Sequence, residues 1–228
     1  MDEQTRDQAK RRAGESAVES VSDGDIVGLG SGSTAEHAIR ILGDRVNAGL
    51  DIVGVPTSFQ AREVAIEVGI ELTTLDETDG HIDVTIDGAD QFVGTDLIKG
   101  GGAAHAREKI VANATDELVI VVDETKRADV LDEPVPLEVL PDARTTAAAA
   151  VEALGGEPIL RRAERKSGPV VTDNGNLIFD CDFGGIDDPA ALAADLATLP
   201  GVVEHGLFPG FADVVHVGME DGVDVVEL

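Results

Sequence analysis

The run Glu117-Leu-Val-Ile-Val-Val122 constrains this chain most. Five consecutive apolar residues leave no polar face, so a strand built from them is covered on both sides. Such strands belong to parallel sheets flanked by helices, because parallel neighbours need a crossover of a dozen residues or more. The segments upstream supply the crossovers. Residues 5–21 place Ala13, Ala17, Val18 and Val21 on one helical face. Ile26–Leu29 predicts a short strand, and Thr34 a cap for a helix with Ala35, Ala38, Ile39 and Leu42 inward. Asp51–Val55 is the next strand, and Thr57 or Ser58 caps a helix reaching about Val68. Residues 81–86 alternate strictly, as a strand does, and residues 103–114 read as a helix before the 117–122 strand.

The pattern changes near residue 133. Residues 134–140 predict an edge strand, since proline cannot donate to a ladder. Residues 145–154 form a helix closed by Gly155-Gly156. Strands follow at about 157–163 and on both sides of a hairpin turn at Asp173-Asn-Gly-Asn176. Asp188-Pro189 starts a helix with Leu192, Leu196 and Leu199 inward, and residues 201–208 form a further strand. Residues 212–228 return as strand to the first sheet. The fold expected is α/β: a parallel, Rossmann-like sheet domain over 1–132 plus 208–228, with a smaller inserted α+β domain of ferredoxin-like type over 133–207.

Charge excludes some partners. The 228 residues carry 45 Asp+Glu against 17 Lys+Arg, a formal charge of −28. A field of that sign repels nucleic acid and anionic membrane. The acids are spread along the chain, which reads as a solvated, salt-adapted surface of a halophile rather than an interaction tail. Cys181 has no second cysteine to pair with and sits in an apolar stretch, so it is expected to be a buried structural thiol. The first residues lack the apolar run of a signal peptide, and no stretch approaches transmembrane length, so a cytoplasmic location is expected.

Chemistry concentrates in three places. Gly28-Leu-Gly30-Ser31-Gly32-Ser33-Thr34 joins a strand to a helix N-terminus, where free N–H groups and the helix dipole favour an anion. It is not a dinucleotide loop, since Ser33 stands where the third glycine belongs and Pro56-Thr57 replaces the acid at the end of the next strand. No lysine follows the glycines, so it is not a Walker loop. A monophosphate cradle and a plain turn with a Ser/Thr cap both remain open, the hydroxyls favouring the first. Asp87 and Asp90 close a strand three residues apart, at the end of a sheet where ligands bind. An Asx turn explains one of them more readily than two. Lys99 is one of five lysines and runs into Gly100-Gly101-Gly102. It could be a mere ion-pair partner, but a triple glycine suggests backbone approached by a ligand. Glu108, alone, reads as a solvated helix acid, and only its company makes it a candidate base. Lys126 follows the 117–122 strand and could line the same crevice. The histidines (37, 81, 105, 205 and 216) lack metal-ligand spacing, so no metal is expected.

Taken in order, these segments are similar to a known family from end to end. Gly-Leu-Gly-Ser-Gly-Ser-Thr-Ala (28–35), Gly-Val-Pro-Thr-Ser (54–58), Asp-Gly-Ala-Asp (87–90), Lys-Gly-Gly-Gly-Ala-Ala (99–104) with Arg-Glu-Lys-Ile (107–110), Val-Asp-Glu-Thr-Lys (122–126) and Pro-Val-Pro-Leu-Glu-Val (134–139) resemble ribose-5-phosphate isomerases of the A type. Two small departures are Ser31, where the family often has threonine, and Gln91, where it often has glutamate. The resemblance implies that Glu108 is the general base and that Asp87, Asp90 and Lys99 surround the reacting end of the sugar. It implies further that Gly30, Ser31, Gly32, Ser33, Thr34, Gly100, Gly101, Gly102 and Lys126 belong to the substrate site. Lys10 falls where the family has a phosphate-contacting lysine. The implied reaction needs no cofactor and takes a small sugar phosphate, and the family is usually a homodimer or homotetramer. Other enzymes of related fold, a coenzyme A transferase or a sugar-phosphate deaminase, would be betrayed by a glutamyl thioester or by ammonia. A sugar-phosphate sensor would need a DNA-binding module that the residues before Ile26 leave no room for.

Overall fold

The computed structural model describes residues 1–227. In chain order its elements are α1 (Glu3–Ala17), β1 (Ile26–Leu29), α2 (Ser33–Asn47), β2 (Val53–Pro56), α3 (Phe59–Val68), β3 (Glu71–Leu72) and β4 (Ile82–Gly88). Then come β5 (Gln91–Val93), β6 (Asp96–Ile98), α4 (His105–Asn113), β7 (Thr115–Asp123), β8 (Val135–Val139) and α5 (Arg144–Ala153). The chain ends with β9 (Glu157–Leu160), β10 (Leu177–Asp182), α6 (Pro189–Ala197), β11 (Val202–His205), β12 (Leu207–Phe208), β13 (Val214–Met219) and β14 (Gly222–Glu227). It divides into two compact units, residues 1–89, 107–127 and 211–228, and residues 90–106 and 128–210.

The first unit holds a seven-stranded sheet in the order β14-β13-β7-β4-β1-β2-β3. Every pairing in it is parallel except the closing β13–β14 hairpin. Leu118 to Val122 are all at most 2 % exposed, so β7 is the doubly covered strand its apolar run demands. Val27, Leu29, Val84, Ile86, Val119 and Val121 from the sheet pack with Ile39, Leu42 and Val64 from α2 and α3. Where the sequence reading placed the α2 cap at Thr34, the N-cap is Gly32, and Ser33 and Thr34 occupy the first turn. Gly32 has φ +92, a left-handed value that lets the chain turn from β1 into the helix. Ser58 is the α3 cap, its hydroxyl accepting from Ala61 N at 3.1 Å.

The second unit contains a four-stranded antiparallel sheet, β11-β8-β10-β9, and a three-stranded one, β12-β6-β5. With α5 after β8 and α6 after β10, the four strands follow the ferredoxin-like order. Val135, Leu137, Val139, Val151, Phe179, Cys181 and Leu196 form its core. Three local expectations are corrected here. First, β8 is an interior strand, not an edge. Pro136 is tolerated because its carbonyl accepts from Gly206 N at 2.7 Å on the β11 side. The N–H it lacks would point to that same side, where β11 has already ended at His205. Second, the segment before the 173–176 turn makes only isolated bridges, Val171 to Leu177 and Arg162 to Pro169. Pro169 has no N–H to continue a ladder, and β10 pairs with β8 and β9 instead. Third, the expected 201–208 strand breaks at Gly206 into β11 and β12, and β12 pairs with β6. Residues 90–106 fall in this unit because Ile98 pairs with Leu207 and Lys99 N donates to Gly206 O at 2.8 Å. The sequence reading grouped them with the first domain; nothing local announces the β5–β6 hairpin that carries them across.

Candidate active site

Parallel strands put their carboxyl ends on one edge of a sheet, where open α/β folds bind ligands. In the first unit that edge carries the glycine loop after β1 and Asp87 near the end of β4. Asp87 is 1 % exposed, and its Oδ1 accepts from Ser31 N at 2.9 Å and Gly88 N at 2.7 Å. Gly30 lies directly against it: a methyl group there would stand 2.5 Å from Asp87 Cγ. The Ser31 hydroxyl meets Thr57 Oγ1 at 2.8 Å and donates to Ser58 Oγ at 2.7 Å. Gly32 N donates to Gln60 Oε1 at 3.1 Å. Thr57 and Ser58, a helix cap and part of the 54–58 motif, and Gln60, which no sequence signal marks, are tied by the fold to the loop.

α2 has no side-chain cap. The N–H groups of its first turn, the Ser33 hydroxyl and the dipole of a 15-residue helix converge on one point. Lys10 reaches the same point from α1, with Nζ donating to Ser33 Oγ at 2.9 Å. Backbone donors, hydroxyls and an ammonium there are suited to a phosphate dianion. Lys126, half-buried, lies in the turn that follows β7. Glu108 is only 4 % exposed, in the first turn of α4. That corrects the solvated helix acid that the residue suggests in isolation.

The second unit holds Asp90, Lys99 and the glycine run. Asp90 Oδ2 accepts from Gly101 N at 2.7 Å, and Asp90 N donates to Ile98 O at 2.8 Å. Lys99 is 2 % exposed, its Nζ 5.5 Å from the centre of the Phe208 ring. The two aspartates are therefore held by different backbone partners, Asp87 by the β1 loop and Asp90 by the glycine run. Arg161, which no sequence signal marked, donates from Nη1 to both Gly100 O and Gly101 O at 3.0 Å.

Among the described residues one trio could hold a metal ion, His81, Asp83 and Asp116. The histidine count alone hid it, since spacing along the chain does not show Asp116 coming in from β7. It sits at the amino ends of β4 and β7, the opposite end of those strands from Asp87. Asp83 is already bound to Ile26 N at 2.7 Å, which holds its carboxyl below the usual range.

The profile of the family described as ribose 5-phosphate isomerase A (phosphoriboisomerase A) matches residues 53–222. This chain belongs to that family. Ribose-5-phosphate isomerase A of Haloarcula marismortui is 64 % identical over 96 % of this chain and 95 % of its own. That of Halobacterium salinarum is 56 % identical over 95 % and 94 %. The solved structure of the Methanocaldococcus jannaschii family member is 43 % identical, covers 97 % of this chain and 99 % of its own, and superposes with a TM-score of 0.92. A second solved D-ribose-5-phosphate isomerase, in complex with phospho-erythronic acid, is 42 % identical over 97 % and 98 %, with a TM-score of 0.94.

Proposed function

We propose that this protein interconverts D-ribose 5-phosphate and D-ribulose 5-phosphate through an enediolate. Glu108 takes the C2 proton of the open-chain aldose. The C–H electron pair forms the C1–C2 double bond, and the carbonyl pair moves onto O1. Lys99 and the Gly100–Gly102 backbone carry that oxyanion, which is where fixed donors lower a barrier most. Asp87 or Asp90 assists ring opening and moves the proton between O2 and O1. Glu108 returns its proton to C1, so the cycle closes with atoms and charge balanced. The burial of Glu108 carries this reading, since a glutamate is seldom buried without a partner or a task to hold it there. Gly30 to Thr34, Lys10 and Lys126 bind the 5-phosphate, whose remote binding energy positions the reacting carbons. A relative 42 % identical was solved in complex with phospho-erythronic acid, a phosphorylated sugar acid, which supports a small sugar phosphate as the substrate class.

The setting that goes with this chemistry is the non-oxidative pentose phosphate pathway in the cytoplasm of a halophile, with the protein a homodimer or homotetramer. Sedimentation in molar salt tests the assembly. Among the described residues no helix is long and apolar enough to cross a membrane. The decisive experiment is direct detection of ribulose 5-phosphate from ribose 5-phosphate, with Glu108→Gln alongside. An amide of the same shape cannot accept the proton, so turnover should fall roughly 10²–10⁴-fold. Near-normal turnover by Glu108→Gln would remove it from the mechanism.

A further inference from the structure

We propose that Arg161, anchored by Asp180, is a positioning residue that aims the glycine-run N–H groups at the developing oxyanion. The proposal rests on the reading of Lys99 to Gly102 as the oxyanion loop.

The loop is not in a relaxed conformation. Gly100 has φ +112 and Ala103 φ +58, and a methyl group on Gly100 would lie 2.6 Å from His105 Nδ1. A non-glycine residue in the left-handed region persists where its surroundings over-determine it. The surroundings here are specific. Lys99 N is tied to Gly206 O, Gly101 N to Asp90 Oδ2, and Ala103 N to Gly100 O at 2.9 Å. Arg161 Nη1 then binds two successive carbonyls, Gly100 O and Gly101 O.

Two carbonyls held by one guanidinium fix two peptide planes. Among the described residues no peptide bond is cis. In a trans peptide the N–H points opposite to the C=O of the same unit. The Gly101 and Gly102 N–H groups therefore point away from Arg161. Gly101 N–H is spent on Asp90. Gly102 N–H, among the described residues, makes no hydrogen bond. It is the donor the clamp presents. A cation behind both carbonyls also polarises the peptides, which strengthens N–H donation on the far side.

Arg161 is itself held. Nε donates to Asp180 Oδ2 at 2.9 Å, and Nη2 pairs with Asp180 Oδ1. The two side chains are 17 % and 29 % exposed, so the fork is largely shielded from solvent. β10 carries Asp180, and Arg161 follows β9, its neighbour in the sheet. Only a planar fork can serve the carboxylate on one side and two carbonyls on the other; an ammonium cannot.

The test is steady-state kinetics on ribose 5-phosphate for Arg161→Met, Arg161→Lys, Asp180→Asn and Lys99→Met in the full chain. Arg161→Met should lower kcat roughly 10–100-fold, the scale of a misplacement near 1 Å, and move KM less than about threefold. Arg161→Lys, which keeps the charge, should recover little of that loss. Asp180→Asn should lower kcat in the same direction by a smaller factor. If Arg161→Met does not fold, Asp180→Asn decides by the same criterion. Unchanged kcat in a folded variant, a loss confined to KM, or full recovery by lysine would each overturn the proposal. The Lys99→Met arm separates the two readings. If it too keeps full kcat, the oxyanion loop itself is misassigned. If it loses kcat while Arg161→Met does not, the loop stands and only the clamp falls.

Discussion

Gly30→Ala isolates the fit between the glycine loop after β1 and Asp87. The added methyl would stand 2.5 Å from Asp87 Cγ and closer still to Asp87 Cα, which belongs to the β4 backbone. Ordinary carbon contact begins near 3.4 Å and Asp87 Cα would lie at 2.4 Å, so β1 and the end of β4 must separate by about 1 Å. Overpacking of this kind costs about 1–3 kcal/mol of stability. It also moves Asp87 and its Ser31 N–H partner, and a shift near 1 Å at a reacting group costs about 10² in rate. Gly43→Ala is the matched control. Its methyl would meet Val68 Cγ2 at 2.5 Å, where α2 packs on α3, away from the loop. There the nearest atom is Val68 Cβ at 2.4 Å, with Val68 O at 3.1 Å, so α2 and α3 must also part, while alanine returns about 1 kcal/mol of helix propensity. Both variants are assayed for thermal midpoint and for ribulose 5-phosphate production at saturating substrate. Gly30→Ala should lose about 10²-fold in kcat beyond any fraction unfolded, while Gly43→Ala keeps its turnover. A Gly30→Ala enzyme turning over within twofold of the parent would refute the close-fit argument.

Other outcomes follow from the same geometry. Lys10→Met removes a charged donor from the Ser33 end of α2; kcat/KM for ribose 5-phosphate should fall roughly 10–100-fold, since a hydrogen bond to a charged group contributes about 1.5–3 kcal/mol. An unchanged kcat/KM would detach α1 from the phosphate. With a formal charge of −28, self-repulsion is screened over about 10 Å at 0.1 M salt and about 3 Å at 1 M. Molar sodium or potassium chloride should raise the thermal midpoint alike, and a midpoint indifferent to salt would discard the halophile reading. His216 is 6 % exposed on β13, hydrogen-bonded through Nδ1 to Ser16 Oγ at 2.8 Å. Burial holds its pKa below the ordinary 6.5. The unfolded chain therefore takes up the proton first as pH falls, and stability is lost from about 6.5 downward to the folded value. The thermal midpoint should drop as the pH falls below about 6.5, and His216→Asn should flatten that slope; an equal slope in both proteins would contradict the assignment.

Much of this was written locally. The unbroken apolar run of β7 requires cover on both faces, and covered parallel strands require crossover helices, so the first unit follows from residues a few positions apart. The Ser58 cap, proline at the start of α6 and the Gly155-Gly156 stop are equally local, each set by which backbone N–H or φ value that residue can serve. The motifs around Asp87, Asp90, Lys99 and Glu108 were visible as unusual company for a glycine run. What the tertiary structure alone decided is longer in range. It buried Glu108, made β8 interior despite Pro136, and carried residues 90–106 into the second unit through β6 and β12. It brought Lys10 to Ser33 across 23 residues and Arg161 to the Gly100 carbonyl across 61. Periodicity and capping report only on a residue's own turn or pleat. A guanidinium that finds its carbonyls across two sheets is chosen by the packing of those sheets, and the chain beside it carries no mark of the choice.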